Sequence, residues 1–363
     1  MRIMVAMSGG VDSSTVAGLL REAGHEVIGV TLQLYDHGAA IGRSHSCCAG
    51  QDIHDARRVA DHLGIPHYVI DAEERFRQAV IADFAKEYAS GRTPVPCVRC
   101  NQRVKFVDLL ALAEDLGAEI LATGHYVRRV DGPEGPELHR AADPARDQSW
   151  FLFATTRAQL ARLWFPLGGM PNKAAVREAA ARLGLPVASK PDSQDICFVP
   201  SRNYADVVAK LAPEALAPGP ITDASGRVLG HHQGIGRYTV GQAKHLGTAA
   251  SAGGQRQVVL GIDAARKRVV VGPATNGTRR ILLDEVNWLI APPRQPLSCM
   301  VKLRAREAPK PALARATEEG AEVELMEAAL PAPGQACVFY QGERVLGGGF
   351  IRTGPIPEAA YRG

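Results

Sequence analysis

"MVAMSGGVDSSTVAGLLREAGHEVIGV" (residues 4–30) sets an apolar strand, a Ser-Gly-Gly turn, an amphipathic helix and a second apolar strand in direct succession. A strand that runs through glycines into a helix is a phosphate-holding arrangement. The glycines let backbone N–H groups approach phosphate oxygens, and the helix N-terminus adds partial positive charge. Ser8, Ser13 and Ser14 contribute hydroxyl donors. The loop is not a Walker A loop, which needs a lysine for the β- and γ-phosphates. Asp12 stands where that cation would be sought. It reads either as a helix cap or as a group that positions Mg²⁺ beside a polyphosphate, the metal balancing the charge.

Outward from this loop, residues 1–130 alternate strand and helix. Arg2–Met7, His25–Leu34, Pro66–Ile70 and Ile120–Thr123 read as strands. Helices are expected over Asp12–Ala23 (Val16, Leu19 and Leu20 on one face), Asp52–Leu63 (capped by Asp52), Phe76–Ala89 and Val104–Leu116. This order predicts an α/β fold, a parallel sheet covered on both faces with ligands at the strands' carboxyl ends. Gly132-Pro133-Glu134-Gly135-Pro136 is the tip of a hairpin, and residues 173–184 form a further helix. Beyond about residue 200 helical periodicity fades. Short β-rich runs such as Gln257–Ile262, Arg268–Val271 and Ala336–Tyr340 predict small β domains or barrels.

A chain of 363 residues is long enough for two or three domains, and 46% hydrophobic with 22% charged residues is ordinary for a globular protein. No apolar run reaches membrane-spanning length, and the N-terminal strand flows straight into the glycine turn, unlike a signal peptide. The expectation is a cytoplasmic protein. A net charge of +4 permits a nucleic-acid partner without requiring one.

Seven cysteines, at 47, 48, 97, 100, 197, 299 and 337, are too few for a disulfide scaffold in so long a chain. Cys97 and Cys100 lie in "GRTPVPCVRCNQRVKF" (91–106), read as a proline-stiffened loop running into a basic helix start. Cys197 lies in "SKPDSQDICFVP" (189–200), another polar loop, after Asp192 and Asp195. Thiols there, beside Arg99, Arg103 and Lys105, are expected to favour their thiolates. The lone C-x-x-C has no second half to complete a zinc site. Cys299 and Cys337, in alternating β-type sequence, read as small core residues. Cys47 and Cys48, after His45, read as part of a mobile polar loop over the nucleotide.

In these stretches, and in "DARRVADHLGIPHYV", "LATGHYVR", "RDQSWFLF", "FPLGGMPNKAAVREAA", "YTVGQ" and "VLGGGFI", the chain resembles the bacterial tRNA-specific 2-thiouridylase family over essentially its whole length. The resemblance implies an adenine-nucleotide α-hydrolase-like domain at 1–200, a small central domain at 201–275 and a C-terminal β-barrel at 276–363. It implies adenylation by ATP of the 2-oxo group of a wobble uridine in tRNA, followed by sulfur insertion. Ala6, Met7, Ser8, Gly9, Gly10, Val11, Asp12 and Ser13 would hold ATP, with Leu32 and Gly124 lining the adenosine pocket. Cys197 would carry a persulfide charged by a sulfur donor protein (a cysteine desulfurase or sulfur carrier), and Cys100 would pair with it in a transient disulfide. Val95, Pro96 and Cys97 would lie against the target base, and Arg146, Asp147 and Gln148 would contact tRNA.

The chain departs from the family at Val95, where Asn is usual, at Ala243, where Arg is usual, and at Ala305 after Arg304, where a stacking Tyr is usual. The chemistry is consistent on its own terms. A uridine carbonyl oxygen leaves only once activated, and a persulfide is a sulfur nucleophile. Two thiols let the carrier be released by disulfide formation. Cys97, Cys100 and Cys197 together would also supply three thiolates to a 4Fe–4S cluster. Two other readings compete: an amide-forming ligase of the argininosuccinate or NAD synthetase kind, and a non-catalytic, nucleotide-gated RNA-binding protein.

Overall fold

The computed structural model describes residues 1–35, 47–192, 196–199, 204–247 and 255–354, with 47–49 and 204–205 described by backbone alone. The described chain forms two compact units, the first built from 1–80, 97–200 and 342–346, the second from 81–96, 201–341 and 347 onward. Among the described residues no helix is long and apolar enough to cross a membrane.

The first unit carries a parallel sheet in the order β3-β2-β1-β4-β7, with β1 Arg2–Ala6, β2 Glu26–Gln33, β3 His67–Asp71, β4 Ile120–Ala122 and β7 Leu163–Trp164. The four strands expected over residues 1–130 are all present. Helix α1 (Val11–Glu22) buries Val16, Ala17 and Leu20 against Ile3, Val5 and Met7 of the β1 segment. On the same core lie Val59 and Leu63 of α2 (Cys47–Leu63) and Val176 and Ala180 of helix Lys173–Arg182. That last helix runs parallel to α1. Lys173 meets Asp12 at one end, and Arg182 pairs with Glu22 at the other. The expected hairpin is β5 (Val127–Gly132) and β6 (Gly135–Arg140), and Arg344 pairs in register with His139 beside it.

Three helical boundaries differ from expectation. α2 begins at Cys47, so Asp52 is not its cap but an interior residue, and Cys47 and Cys48 open a helix rather than a loop. His45 and Asp195 lie outside the described residues. The helix expected from Phe76 starts at Glu73 and passes through a π turn, Arg77–Ile81, before Ala82–Ala89. The segment read as a loop around Cys97 is a helix, Pro96–Cys100, continuing through a second π turn, Asn101–Lys105, into α3 (Phe106–Asp115). Proline punctuates a loop, but it also fits the first helical position, where its missing N–H is not needed.

The second unit holds two β structures. One is a four-stranded sheet ordered β10-β11-β8-β9, from β8 Gly219–Thr222, β9 Val228–His232, β10 Gln257–Asp263 and β11 Arg268–Pro273. The other is a closed six-stranded antiparallel barrel of β12 Thr278–Trp288, β13 Leu297–Lys302, β14 Lys310–Thr317, β15 Gly320–Ala329, β16 Ala336–Gln341 and β17 Arg344–Ile351, closed by pairing of β12 with β17. Alternate residues such as Ala312, Ala314, Val323 and Leu325 fill its interior. Cys299 and Cys337 are buried there, as their alternating sequence predicts.

Candidate active site

β1 lies between β2 and β4, where the strand order reverses. An open parallel sheet gapes at that point, and the segments leaving β1 and β4 form the crevice. The segment leaving β1 is the serine–glycine loop. Its entry is pinned to β2: Met7 N–H donates to the Val30 carbonyl (2.8 Å), and the Thr31 hydroxyl donates to the Met7 carbonyl (2.7 Å). Gly9 sits at φ +70, and a Cβ there would collide with the Asp52 carbonyl of α2. Ser8 N–H donates to Ser13 Oγ (3.0 Å), and the Ser14 hydroxyl donates to the Gly10 carbonyl (2.8 Å), so the loop closes on the first turn of α1. Gly124 follows β4 so closely that a Cβ would stand 2.9 Å from the Ser13 nitrogen. Leu32, half-buried, is at the carboxyl end of β2, in register with Ile70. Ala6–Ser13 and Gly124 therefore meet at one crevice, with Leu32 on its neighbouring strand. Gly9→Ala is expected to cost about 1–3 kcal/mol of stability from backbone strain, read as a lower thermal midpoint; an unchanged midpoint would contradict the packing against Asp52.

The cap of α1 is Gly10, with no side-chain cap bond, so Asp12 is not the helix cap. Its Oδ1 accepts from the Tyr126 hydroxyl and from Lys173 Nζ, both at 2.6 Å. Lys173 is the first residue of its helix, which Asn172 caps by accepting from the Ala175 N–H. Lys173 Nζ also bonds Asp192 Oδ1 at 2.9 Å, and Asp192 takes Arg146 (2.9 Å) and Arg177 (3.0 Å) as well. Burial opposes the charge on Asp192, but Lys173 and Arg146 outweigh it and hold the carboxyl below its ordinary range. A second lysine, Lys190, donates to the Gly9 carbonyl (3.0 Å), Asp52 Oδ1 (2.7 Å) and Asp55 Oδ2 (2.6 Å), tying the loop to α2. The loop that lacks its own lysine has two delivered from far along the chain.

Cys97 and Cys100 are three apart on one helix and so share a face; Cys97 is exposed and Cys100 buried. Cys197 lies in a turn whose next residue, Phe198, is buried edge-on against Phe76 at 5.8 Å. All three are thiols, not disulfides. Cys100, Cys97 and Lys105 lie within electrostatic reach of Cys197. The expected bias toward thiolates is not found. Cys197 is exposed, yet the protein packed around it, then Cys100, raises it, and burial raises Cys100 although Lys105 pulls it down. Of the neighbouring guanidinium groups, Arg99 donates to Gln102 and Arg103 to the Ala79 carbonyl. For Lys105, burial works against its charge and the three thiols overcome it, raising its pKa. His125, one residue past Gly124, is kept neutral to about pH 3 by burial and by Lys105.

Of the other residues singled out, Val95 and Pro96 are buried, leaving Cys97 as the exposed member of that triplet. Asp147 is occupied as an acceptor, from Ala141 N–H (3.2 Å), Ser149 N–H (3.1 Å) and the Ser149 hydroxyl (2.9 Å). Gln148 Oε1 accepts from Tyr126 N–H (2.9 Å). Arg146 is exposed. In the second unit Arg304 donates to the Val240 carbonyl (2.9 Å), next to Gly241 and Gln242. Among the described residues no group of three or more His, Cys, Asp or Glu is arranged to hold a metal ion. Sequence reasoning passed over Tyr126, Lys173, Lys190 and Asp55. The signal was there, since each falls inside a stretch that carries the family resemblance.

A parallel sheet with a serine–glycine loop at its reversal point and a thiol pair in the same unit defines a nucleotide-binding HUP-type domain with added cysteine chemistry. Residues 1–201 match the family described as tRNA methyl transferase HUP domain, 205–273 its PRC-barrel domain, and 278–351 the aminomethyltransferase β-barrel domain. The chain is 69% identical over 354 residues to the tRNA-specific 2-thiouridylase MnmA of Acidiphilium cryptum, covering 97% of this chain and 100% of that one. It is 61% identical to the protein of that name from Gluconobacter oxydans, covering 98% and 99%. The chain belongs to the tRNA-specific 2-thiouridylase family.

Proposed function

We propose that the protein converts a wobble uridine of tRNA to 2-thiouridine at the expense of ATP. The observation that carries this is the presence, in one compact unit, of the phosphate loop at the sheet's reversal point and of a thiol group, Cys97, Cys100 and Cys197, around Lys105. An amide-forming ligase would use the loop and leave those thiols without work. A nucleotide-gated binding protein would likewise need the loop and not the thiols.

In this reading Ala6–Ser13, Leu32 and Gly124 bind ATP, Mg²⁺ accompanying the nucleotide. The uridine 2-oxo oxygen attacks the α-phosphorus and pyrophosphate leaves. A sulfur donor protein, a cysteine desulfurase or sulfur carrier, loads Cys197 with a persulfide, whose terminal sulfur attacks C2. AMP departs with the former oxo oxygen. The Cys100 thiolate then attacks Cys197 Sγ; the bond to the transferred sulfur breaks, its electron pair stays on that sulfur, and a Cys100–Cys197 disulfide forms for an external thiol to reduce. Cys97 faces the target base and Arg146 the tRNA backbone; Val95, Pro96, Asp147 and Gln148 shape the surface around them. The division 1–200, 201–275 and 276–363 serves the same reading, with the two later parts gripping tRNA by salt-sensitive phosphate contacts. The working compartment is the reducing cytoplasm, where these thiols persist.

Mass spectrometry of tRNA nucleosides from a strain lacking the protein is expected to show loss of 2-thiouridine, restored by the wild-type chain. Unchanged nucleoside content would overturn the proposal. In the persulfide reading only Cys100 and Cys197 handle sulfur, so Cys97→Ser is expected to retain most thiolation in an iron-free preparation. Loss of thiolation together with bound iron and sulfide would instead favour a cluster.

A further inference from the structure

The two remote lysines at the loop differ in how their donors are spent. An ammonium group has three N–H bonds to give. Lys190 gives all three, to Gly9, Asp52 and Asp55. Lys173 gives two, to Asp12 and Asp192. Its side chain is 11% exposed, its Nζ lies 5.8 Å from the centre of the Tyr126 ring, and among the described residues only Asp12 and Asp192 accept from it. A charge so nearly buried is costly unless paired; here it is paired and one donor is kept back. The donor stands beside the first turn of α1, where the loop's backbone would present phosphate. Among the described residues Asp12 and Asp192 are the acids paired here, and Lys173, Arg146 and Arg177 the cations facing them.

We propose that Lys173 is the pyrophosphate-binding cation of this site, in place of the lysine that the loop lacks. Resting on the adenylation reading above, the inference assigns Asp12, Tyr126 and Asp192 to holding the ammonium group in place before ATP arrives. With ATP bound, the uncommitted N–H goes to an oxygen of the β- or γ-phosphate. As the α–β bridge bond breaks, the electron pair stays on the departing pyrophosphate, beside a cation already in position. Preorganised donors of this kind act on the rate more than on substrate affinity. Lys190, its donors spent, fixes the loop and does not touch phosphate.

The test is tRNA-dependent release of AMP and pyrophosphate by the full-length protein, wild type against Lys173→Met, with pyrophosphate product inhibition measured alongside. Lys173→Met is expected to lower kcat about 100- to 1000-fold, to raise the inhibition constant for pyrophosphate at least about tenfold, and to leave tRNA affinity as it was. Lys173→Arg should recover part of the rate. A purely structural lysine predicts otherwise: the triple variant Asp12→Asn, Asp192→Asn, Lys173→Met, which leaves no unpaired acid, would then regain the rate, and pyrophosphate inhibition would not move. Either result overturns the inference, as does a wild-type rate in Lys173→Met. Absence of AMP formation by the wild-type protein would instead overturn the adenylation reading, so the two failures are told apart.

Discussion

Cys197→Ser is expected to form no detectable 2-thiouridine while still releasing AMP and pyrophosphate when tRNA is present. A serine hydroxyl is nearly isosteric with the thiol but cannot carry a sulfane sulfur. The turn that presents residue 197 is held from the next position, where Phe198 packs on Phe76, so the substitution leaves the local fold in place. The adenylating loop sits on other elements and has no covalent dependence on the thiol. Adenylated tRNA is therefore expected to build up, visible as a nucleotide adduct on the target nucleoside. Normal 2-thiouridine from this variant would show that sulfur travels by another residue. Loss of AMP release as well would show that the thiol and the loop are not separable.

The second large effect is at Asp12. Asp12→Ala removes the acceptor shared by the Tyr126 hydroxyl and Lys173. Lys173 then has Asp192 alone to hold it, and the ammonium group is no longer fixed beside the first turn of α1. Adenylation is expected to fall by about 100-fold or more, the scale on which a mispositioned charge stabiliser registers. Binding of tRNA should be nearly unchanged. Asp12→Asn, which keeps an acceptor for Tyr126 but weakens the hold on Lys173, is expected to fall between the two. AMP and pyrophosphate formation at the wild-type rate in Asp12→Ala, with tRNA at saturation, would refute this account.

The first unit could be read from its chain because its signals are local. Apolar strands alternate with helices whose buried positions recur at 3.6 residues, and Val16, Leu20, Val59 and Leu63 point inward as that period requires. The phosphate-holding role expected of the loop rests on the same stretch. What escaped was the placement of charge. The partner that reads Asp12 as an ion-pair acceptor is Lys173, 161 residues away, and no period or spacing links them; only the fold does. The cysteine environments were misjudged for a related reason. Basic neighbours in sequence do not by themselves favour a thiolate, and at the buried Cys100 the loss of solvent outweighs the pull of Lys105. The helix at Pro96 was hidden by its own first residue, a proline, which marks a loop as readily as a helix start.

The π turn Asn101–Lys105, immediately after Cys100, has an effect on helical phase. Each residue of an α-helix turns the chain by about 100°, and a π turn accommodates one residue more than the α ladder would. The helix that carries Cys97 and Cys100 is thus out of step with α3, which buries Phe106, Leu109, Leu110 and Ala113. Deleting a single residue between Asn101 and Val104 would restore a continuous α ladder and a more regular hydrogen-bond pattern. It would also swing both thiols about a quarter turn away from Cys197 while α3 kept its seat in the core. Arg75, donating to the Arg103 carbonyl within this turn, occupies one of the acceptors involved. The irregular turn works as a fixed phase offset: the core sets one helical face, the two thiols lie on another, and five residues reconcile them.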